Sequence, residues 1–238
     1  MSPNLDRQLT GRRFLLPGPA QWLLTATLLG VLPARLAAAS PHDVPIGQFV
    51  RELESSYKDV KSLRAEFTQS YNWGNRTRVE SGIVYFARGG RMRWEYRDPQ
   101  EKLFLTDGKT VVLYVPEEKQ LTRSTVKTSE DVRVPFRLLL SRLDLHKVFQ
   151  EIQFADQALE AKAGDRVLRA LPKHGDESGI HEVLLEVSPD FDIRHLVVVY
   201  ADRSRMDFTF EHTERNVPVN SALFRFTPPP GTEVIDQR

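Results

Sequence analysis

The sequence predicts a mainly β protein with helices (α+β), built as an incomplete, strongly curved antiparallel β-barrel. Short segments after residue 63 alternate apolar and polar side chains, as at 67–73, 92–96 and 206–210. One-sided alternation is typical of antiparallel strands that have one solvated face. Turn-forming pairs such as Asp107-Gly108 separate the segments, so about ten strands are expected. A helical pattern interrupts the strands once. A closed barrel would not need a helix to cover its mouth, so the barrel is expected to be incomplete.

The composition excludes several classes of protein. The chain has 238 residues, of which 40% are hydrophobic, and its 33 basic and 32 acidic residues leave a net charge of +1. This balance argues against nucleic-acid binding, because nucleic-acid binders concentrate a basic excess on one face. Cysteine is absent, which removes disulfides, thiolate metal sites and lipid attachment through cysteine.

The segment 1–39 has the pattern of a secretory signal peptide. Basic residues, including Arg12-Arg13, precede an apolar stretch at 14–32, and small residues follow up to Ala39. This order predicts cleavage after Ala39 and one mature domain at 40–238. A membrane anchor is the alternative, but prolines shorten the apolar run below the ~20 residues that a span needs. The Arg12-Arg13 pair leaves the twin-arginine export route open. For an exported chain without cysteine we expect the bacterial periplasm.

Two segments have helical spacing of their apolar residues. From Val44 to Tyr57 these residues recur every three or four positions, which predicts a helix with one apolar face. A second amphipathic helix is predicted from Val134 to Leu145, with Pro135 in its first turn. Its apolar residues are Phe136, Leu139, Leu140 and Leu143. We expect this inserted helix to cover the mouth of the incomplete barrel.

Other segments are apolar on both faces. They lie at 83–87, 103–105, 111–115 and 196–200. A strand of this kind is buried on both sides. We therefore expect the sheet to be covered on its second face at these positions.

The motifs that support catalysis or cofactor binding are missing from the sequence. Gly89-Gly90 lacks the strand–loop–helix context of a phosphate loop. The six histidines lack the close spacing of a metal site. His181 and His195 could meet across neighbouring strands, where a solvated pair of histidines is the simplest interpretation. The sequence therefore predicts no enzyme, no cofactor and no metal.

Large apolar residues lie on strands whose other face is charged. They are Met92, Trp94, Tyr96, Met206, Phe208 and Phe210. These residues predict a broad apolar lining on the inner face of the sheet. A hydrophobic core under a helix and a lipid-binding cavity require the same residue types, so the pattern alone leaves both open.

Five motifs in order resemble the family of periplasmic outer-membrane lipoprotein carrier proteins, LolA. They lie at 60–69 (ending Phe67-Thr68-Gln69), 82–94 (with Met92-Arg93-Trp94), 106–114 (with Asp107-Gly108-Lys109), 135–139 (beginning Pro135-Phe136) and 226–238 (with Phe226-Thr227-Pro228-Pro229). The resemblance covers essentially the whole mature chain. Gly89 departs from the family, which has proline there, and Met92 stands where an aromatic residue is usual.

The resemblance implies a fold and a function. The fold would be an unclosed β-barrel with a helical lid over a hydrophobic cavity. The cavity would take the acyl chains of lipoproteins released by an inner-membrane ABC transporter and deliver them to an outer-membrane receptor lipoprotein. Arg88 matches the arginine that tethers the lid in this family. The protein would act as a monomer, as a chaperone of lipoprotein localization.

The alternative is a half-barrel module in the cell envelope that senses lipid or lipoprotein as a signal. Such a module is expected to have an additional domain. The receptor lipoprotein of the same pathway is a weaker alternative, because it requires a lipidated cysteine, and cysteine is absent.

Overall fold

The computed structural model describes residues 44–126, 143–175 and 179–237. The helices within these ranges are α1 (Ile46–Tyr57), α2 (Leu145–Val148) and a 3-10 helix (Ser221–Phe224). The strands are β1 (Ser62–Trp73), β2 (Arg76–Ala87), β3 (Arg91–Asp98), β4 (Lys102–Thr106), β5 (Thr110–Val115), β6 (Gln120–Thr125), β7 (Phe149–Phe154), β8 (Arg166–Pro172), β9 (Ile180–Val187), β10 (Ile193–Tyr200), β11 (Arg205–Arg215) and β12 (Glu233–Asp236).

All twelve strands form one sheet, in the order β12-β6-β5-β4-β3-β2-β1-β11-β10-β9-β8-β7. Neighbouring strands are antiparallel except β12, which runs parallel to β6. The predicted mainly β fold is confirmed, although it has more strands than the sequence predicted. Every residue of β12 is exposed, so this strand lacks the buried alternation that identifies a strand in a sequence.

The sheet curls strongly around one face. Two strands, β2 and β1, lie between β3 and β11. At about 4.8 Å per step, β3 and β11 would stand about 14 Å apart in a flat sheet. The ring centroids of Trp94 on β3 and Phe208 on β11 are 5.6 Å apart. The sheet is therefore an open half-barrel, as predicted, with Trp94 and Phe208 on its concave face.

Helix α1 packs its apolar residues into the core of the half-barrel. It begins after Pro45, where the sequence predicted a helix, and buries Phe49, Val50, Leu53 and Tyr57. The Phe49 ring contacts Phe154 at the end of β7, with 5.4 Å between ring centroids. The predicted amphipathic helix is confirmed.

The convex face of β4–β6 is covered by the C-terminal part of the chain. Leu103, Leu105 and Tyr114 form a buried cluster there, and Phe226 packs against it. The Tyr114 and Phe226 ring centroids are 4.9 Å apart. Arg93 Nη1 donates a hydrogen bond of 3.1 Å to the carbonyl oxygen of Leu223. The strands predicted to be buried on both faces are therefore covered in this region on the convex face as well as on the concave face.

The loop between β7 and β8 covers a second convex cluster. Val167, Leu184 and Val197 are buried on β8, β9 and β10, and Leu159 and Ala161 of the loop pack against them. The apolar segment at 196–200 therefore has a covered convex face as well as a covered concave face.

The inserted helix predicted from Val134 to Leu145 lies mostly outside the described residues, which resume at Leu143. The prediction is wrong at the C-terminal end of that helix. Leu143 and Asp144 lie outside any helix, and Leu145 begins the separate helix α2. Asp144 caps α2, because its side chain accepts a hydrogen bond from the backbone N–H of Lys147.

Candidate functional site

The concave face gathers all six residues that the sequence predicted as an apolar lining. They belong to one buried cluster and lie on β3 and β11: Met92, Trp94, Tyr96, Met206, Phe208 and Phe210. The strand register explains this, because residues directly opposite each other on neighbouring strands share a face. Phe67 of β1 lies opposite Phe210 of β11, so its ring joins the same face.

Trp94 lies at the centre of this cluster and is fully buried. Its ring contacts Phe67 at 4.9 Å, Phe86 at 5.6 Å and Phe210 at 6.2 Å between centroids. Most of these contacts are edge-on or tilted, which is the arrangement that aromatic rings favour. The concave face is therefore closely packed in this structure.

The opposite wall of the half-barrel is aliphatic. Leu168, Val183, Leu185 and Val198 of β8–β10 are buried members of the same cluster. Other apolar residues of this face are only partly buried and pack against the cluster. They are Tyr71, Leu113, Phe149, Ile152, Ile180, Leu196 and Tyr200. The concave face thus combines fully buried apolar residues with others that are partly accessible.

A line of polar side chains crosses the concave face beside the aromatic cluster. We name it the polar belt; its members are Gln69, Tyr96, Lys102, Glu80 and Arg78. The hydroxyl of Tyr96 donates to Gln69 Oε1 at 2.6 Å, and Gln69 Nε2 donates to the sulfur of Met206 at 3.3 Å. Lys102 and Arg78 both pair with the carboxylate of Glu80.

Two arginines fasten the C-terminal end of α1 to the sheet. Arg88 donates hydrogen bonds to the carbonyl oxygens of Lys58 and Val60, the latter at 2.9 Å from Nε. Arg215 donates to the carbonyl oxygen of Ser56 at 3.3 Å and lies over the Tyr57 ring at 4.9 Å. These carbonyls have no partner within the helix, and a cation at a helix C-terminus also interacts favourably with the helix dipole.

Tyr57 adds a third attachment at the same end of α1. Its hydroxyl accepts a hydrogen bond of 3.2 Å from the backbone N–H of Ile193. Burial raises the pKa of Tyr57 above its ordinary value, so the hydroxyl stays neutral. The role of Arg215 was not predicted from the sequence, because its partners at 56–57 and 190–192 are remote along the chain.

The predicted latch residue Arg88 therefore binds carbonyls that follow α1. The predicted lid residues Phe136, Leu139 and Leu140 lie outside the described residues. Leu143 is described, and it packs half-buried against the concave cluster. The tether between Arg88 and the lid stays a prediction.

The convex face carries a network of charged groups around His195. Its Nε2 lies 3.2 Å from Asp207 Oδ1, and Arg205 also pairs with Asp207. Burial alone would raise the pKa of Asp207, but the hydrogen bonds from His195 and Arg205 outweigh it and lower the pKa. Burial, with Glu186 beside it, raises the pKa of Asp165.

This network does not resemble a metal site. Among the described residues no group of three or more histidines and carboxylates is placed to hold a metal ion. His195 lies opposite Glu186 on β9, whereas His181 lies near the other end of that strand. The expectation that His181 and His195 could meet is therefore wrong, because the register places Glu186 opposite His195 and Glu182, next to His181, opposite Val199.

The described residues contain no helix that is both long enough and apolar enough to cross a bilayer.

Comparison with known proteins identifies the family. The model of the family "Outer membrane lipoprotein carrier protein LolA" matches residues 58–227. The chain belongs to the LolA family. The matched residues include β1–β11, so the family assignment covers the whole concave face described above.

Relatives and solved structures agree with this assignment. An outer-membrane lipoprotein carrier protein of Dechloromonas aromatica (strain RCB) is 30% identical over 91% of this chain and 97% of the relative. Another, from Bordetella avium (strain 197N), is 28% identical over 90% of this chain and 95% of the relative. The crystal structure of an uncharacterized conserved protein from Thermus thermophilus has a TM-score of 0.51 at 12% identity. It covers 80% of this chain and 99% of that chain, and shows likeness of fold.

Proposed function

We propose that the protein is a periplasmic chaperone that binds the acyl chains of lipoproteins on its concave face and carries them to the outer membrane. Membership of the LolA family and the carrier proteins among its relatives support this function. The observation that carries the proposal is the concave cluster itself. It brings six large apolar side chains from β3 and β11 together with the aliphatic wall of β8–β10.

The energetics of acyl chains explain why an apolar concave face suits a carrier. At ~0.8 kcal/mol for each buried methylene, a chain of roughly fifteen methylenes resists transfer to water by on the order of 12 kcal/mol. A carrier must therefore offer apolar surface comparable to that of a membrane. In this structure the apolar side chains cover one another, so binding requires them to separate. That requirement weakens net binding and favours later release.

The partners and the location follow from the carrier role. We propose that residues 1–39 direct export and are removed, which leaves 40–238 as a monomeric domain in the periplasm. Cargo would be received from an inner-membrane lipoprotein-releasing ABC transporter and passed to an outer-membrane receptor lipoprotein. Such a carrier uses no cofactor and performs no chemical step, so we do not propose an enzyme.

The alternative of a half-barrel module that senses lipid or lipoprotein is not favoured. The family that matches and the relatives reported above are carrier proteins. A sensing module would bind acyl chains on the same concave face but would not release cargo to the outer membrane. Transfer of cargo therefore separates the two functions.

The lid and its latch complete the proposal. Phe136, Leu139 and Leu140 would face the concave cluster and close it when no lipid is bound, while Arg88 would hold the closed state. Replacing Arg88 by leucine should then favour the open state, so that the variant accepts lipoprotein but releases it poorly. Loaded carrier should accumulate in the periplasm. Normal delivery of lipoprotein to the outer membrane by this variant would show that Arg88 is not the latch.

The direct test of the proposed function is mass spectrometry of lipoproteins that co-purify with the tagged protein from periplasm. The matched variants are Leu196→Glu and Val199→Glu. Both residues are half-buried and lie on β10, but Leu196 packs on the concave cluster and Val199 on the convex one. Leu196→Glu should lose most of the lipoprotein, because a carboxylate buried without a partner is unfavourable beside an acyl chain. Val199→Glu should keep it. Equal recovery from both variants would contradict binding on the concave face.

A further inference from the structure

The polar belt lies buried on an otherwise apolar face. Gln69, Glu80 and Tyr96 are buried, with 8%, 6% and 3% of their surfaces exposed. Charged and amide groups are seldom buried unless they are paired or hydrogen-bonded, and the belt residues pair with one another. The belt lies on the same face as the aromatic cluster, because Gln69 is opposite Phe208 on one side and Glu80 on the other.

The belt crosses the half-barrel obliquely. Gln69 is opposite Glu80, whereas Tyr96 and Lys102 are opposite each other in the neighbouring row, to which Phe67 belongs through Gly82. Along β1 Phe67 precedes Gln69, and along β3 Trp94 precedes Tyr96. Tyr71 and Trp73 follow Gln69 along β1, and their rings stack with centroids 4.9 Å apart. On β1 the belt therefore separates the packed aromatic cluster from this stacked pair.

Hydrogen-bond donors predominate in the belt. Lys102 supplies an ammonium group, Gln69 an amide NH₂ and Arg78 a guanidinium, each with more than one N–H, whereas Glu80 supplies the only carboxylate of the five. The single hydroxyl hydrogen of Tyr96 is donated to Gln69 Oε1 and orients that amide. The ammonium group of Lys102 also lies 4.5 Å from the centre of the Tyr96 ring. A ligand that fits this set offers acceptors, not donors.

We propose that the polar belt binds the ester and amide carbonyls that join the acyl chains to the N-terminal cysteine of a lipoprotein. This inference rests on the proposed function. The linkage is rich in acceptors, and its carbonyls would otherwise be buried without hydrogen bonds when the chains enter the cavity. With the linkage at the belt, the acyl chains extend past Phe67 and Trp94, and the polypeptide leaves past Tyr71 and Trp73. The belt thus fixes both the depth and the direction of the lipid.

The test compares two synthetic ligands with the same chain lengths. One is a triacylated cysteinyl peptide, and the other is its ether-linked analogue, which lacks the ester carbonyls. Wild-type protein should bind the ester ligand about tenfold more tightly than the ether analogue. Lys102→Met should weaken binding of the ester ligand by about tenfold and leave the ether analogue unchanged. Glu80 keeps Arg78 as a partner in this variant.

A second variant keeps the test independent of folding. Tyr96→Phe removes only the hydroxyl that orients the Gln69 amide, and it should reduce the preference for the ester ligand in the same direction while retaining the wild-type melting temperature to within a few degrees. The belt inference is overturned if wild-type protein binds both ligands equally, or if the variants weaken both ligands by the same factor. If wild-type protein binds neither ligand, the proposed function fails together with the belt.

Discussion

The two faces of the same sheet bury their apolar residues in different ways. On the convex face the apolar residues form two small clusters. Phe226 packs over one of them and Leu159 over the other. On the concave face they form one large cluster that spans β1–β11. Small clusters that their own chain covers are structural, whereas a single broad apolar face suits a large apolar ligand.

The polar groups of the two faces also differ in where they lie. On the convex face His195 and Arg205 both pair with Asp207 close to solvent. On the concave face several buried polar residues form the belt beside the aromatic cluster, and Arg166 of β8 lies over the Phe154 ring at 3.5 Å. The comparison supports the proposal that lipid binds on the concave face and not on the convex one.

The largest expected effect is at the centre of the concave face. Trp94→Ala should lower the free energy of unfolding by about 3–5 kcal/mol, because a fully buried large side chain leaves a cavity. Urea denaturation followed by circular dichroism measures the change. A loss below about 1 kcal/mol would mean that the concave cluster is loosely packed without lipid.

A smaller effect is expected where α1 is fastened. Arg215→Met should lower the free energy of unfolding by about 1.5–3 kcal/mol, the range for hydrogen bonds to charged groups. Hydrogen exchange should show faster exchange at the C-terminal end of α1, because Arg215 binds the carbonyl oxygen of Ser56.

The control for this change is Glu214→Gln. Glu214 pairs with Arg64 at 2.7 Å but is largely exposed, so the change in unfolding free energy should stay below about 1 kcal/mol. Similar losses from Arg215→Met and Glu214→Gln would show that α1 is not held by Arg215.

The smallest effects are the opposite pH dependences of two convex carboxyl groups. The pKa of Asp207 is lowered in the folded state, so its contribution to stability is present above its unfolded pKa and is lost as the pH falls through the folded pKa. The pKa of Asp165 is raised, so between its unfolded and folded pKa values its contribution improves as the pH falls.

Denaturation of the asparagine variants between pH 3 and pH 7 measures both contributions. Compared with wild type, Asp207→Asn should flatten the loss of stability at acid pH, and Asp165→Asn should steepen it. The same direction of change in both variants would contradict this account of the network.

The sequence predicted the half-barrel because alternation of apolar residues is a local property. Residues 92–96 and 206–210 show which side chains share a face, and all six predicted lining residues lie on the concave face. The strand β12 was missed because it is exposed and pairs in parallel with β6. Its position depends on pairing with β6, which is more than a hundred residues earlier in the chain.

Long-range contacts also explain what the sequence did not predict about the site. Gln69 follows the alternation of the apolar residues around it, but nothing local shows that it meets Tyr96 and Met206. Arg88 was predicted to tether the lid, and the carbonyls that it binds among the described residues follow α1. The choice of helix depends on packing, which one sequence does not reveal.

The central claim is that acyl chains occupy the concave face and not the convex one. Photo-crosslinking from adjacent residues of β10 tests it most directly. Tyr200 packs on the concave cluster, and Val199 packs on the convex one. With p-benzoylphenylalanine at Tyr200, the protein in the periplasm should crosslink to lipoprotein, whereas the same group at Val199 should not. Crosslinking from Val199, or equal yields from both positions, would contradict the account.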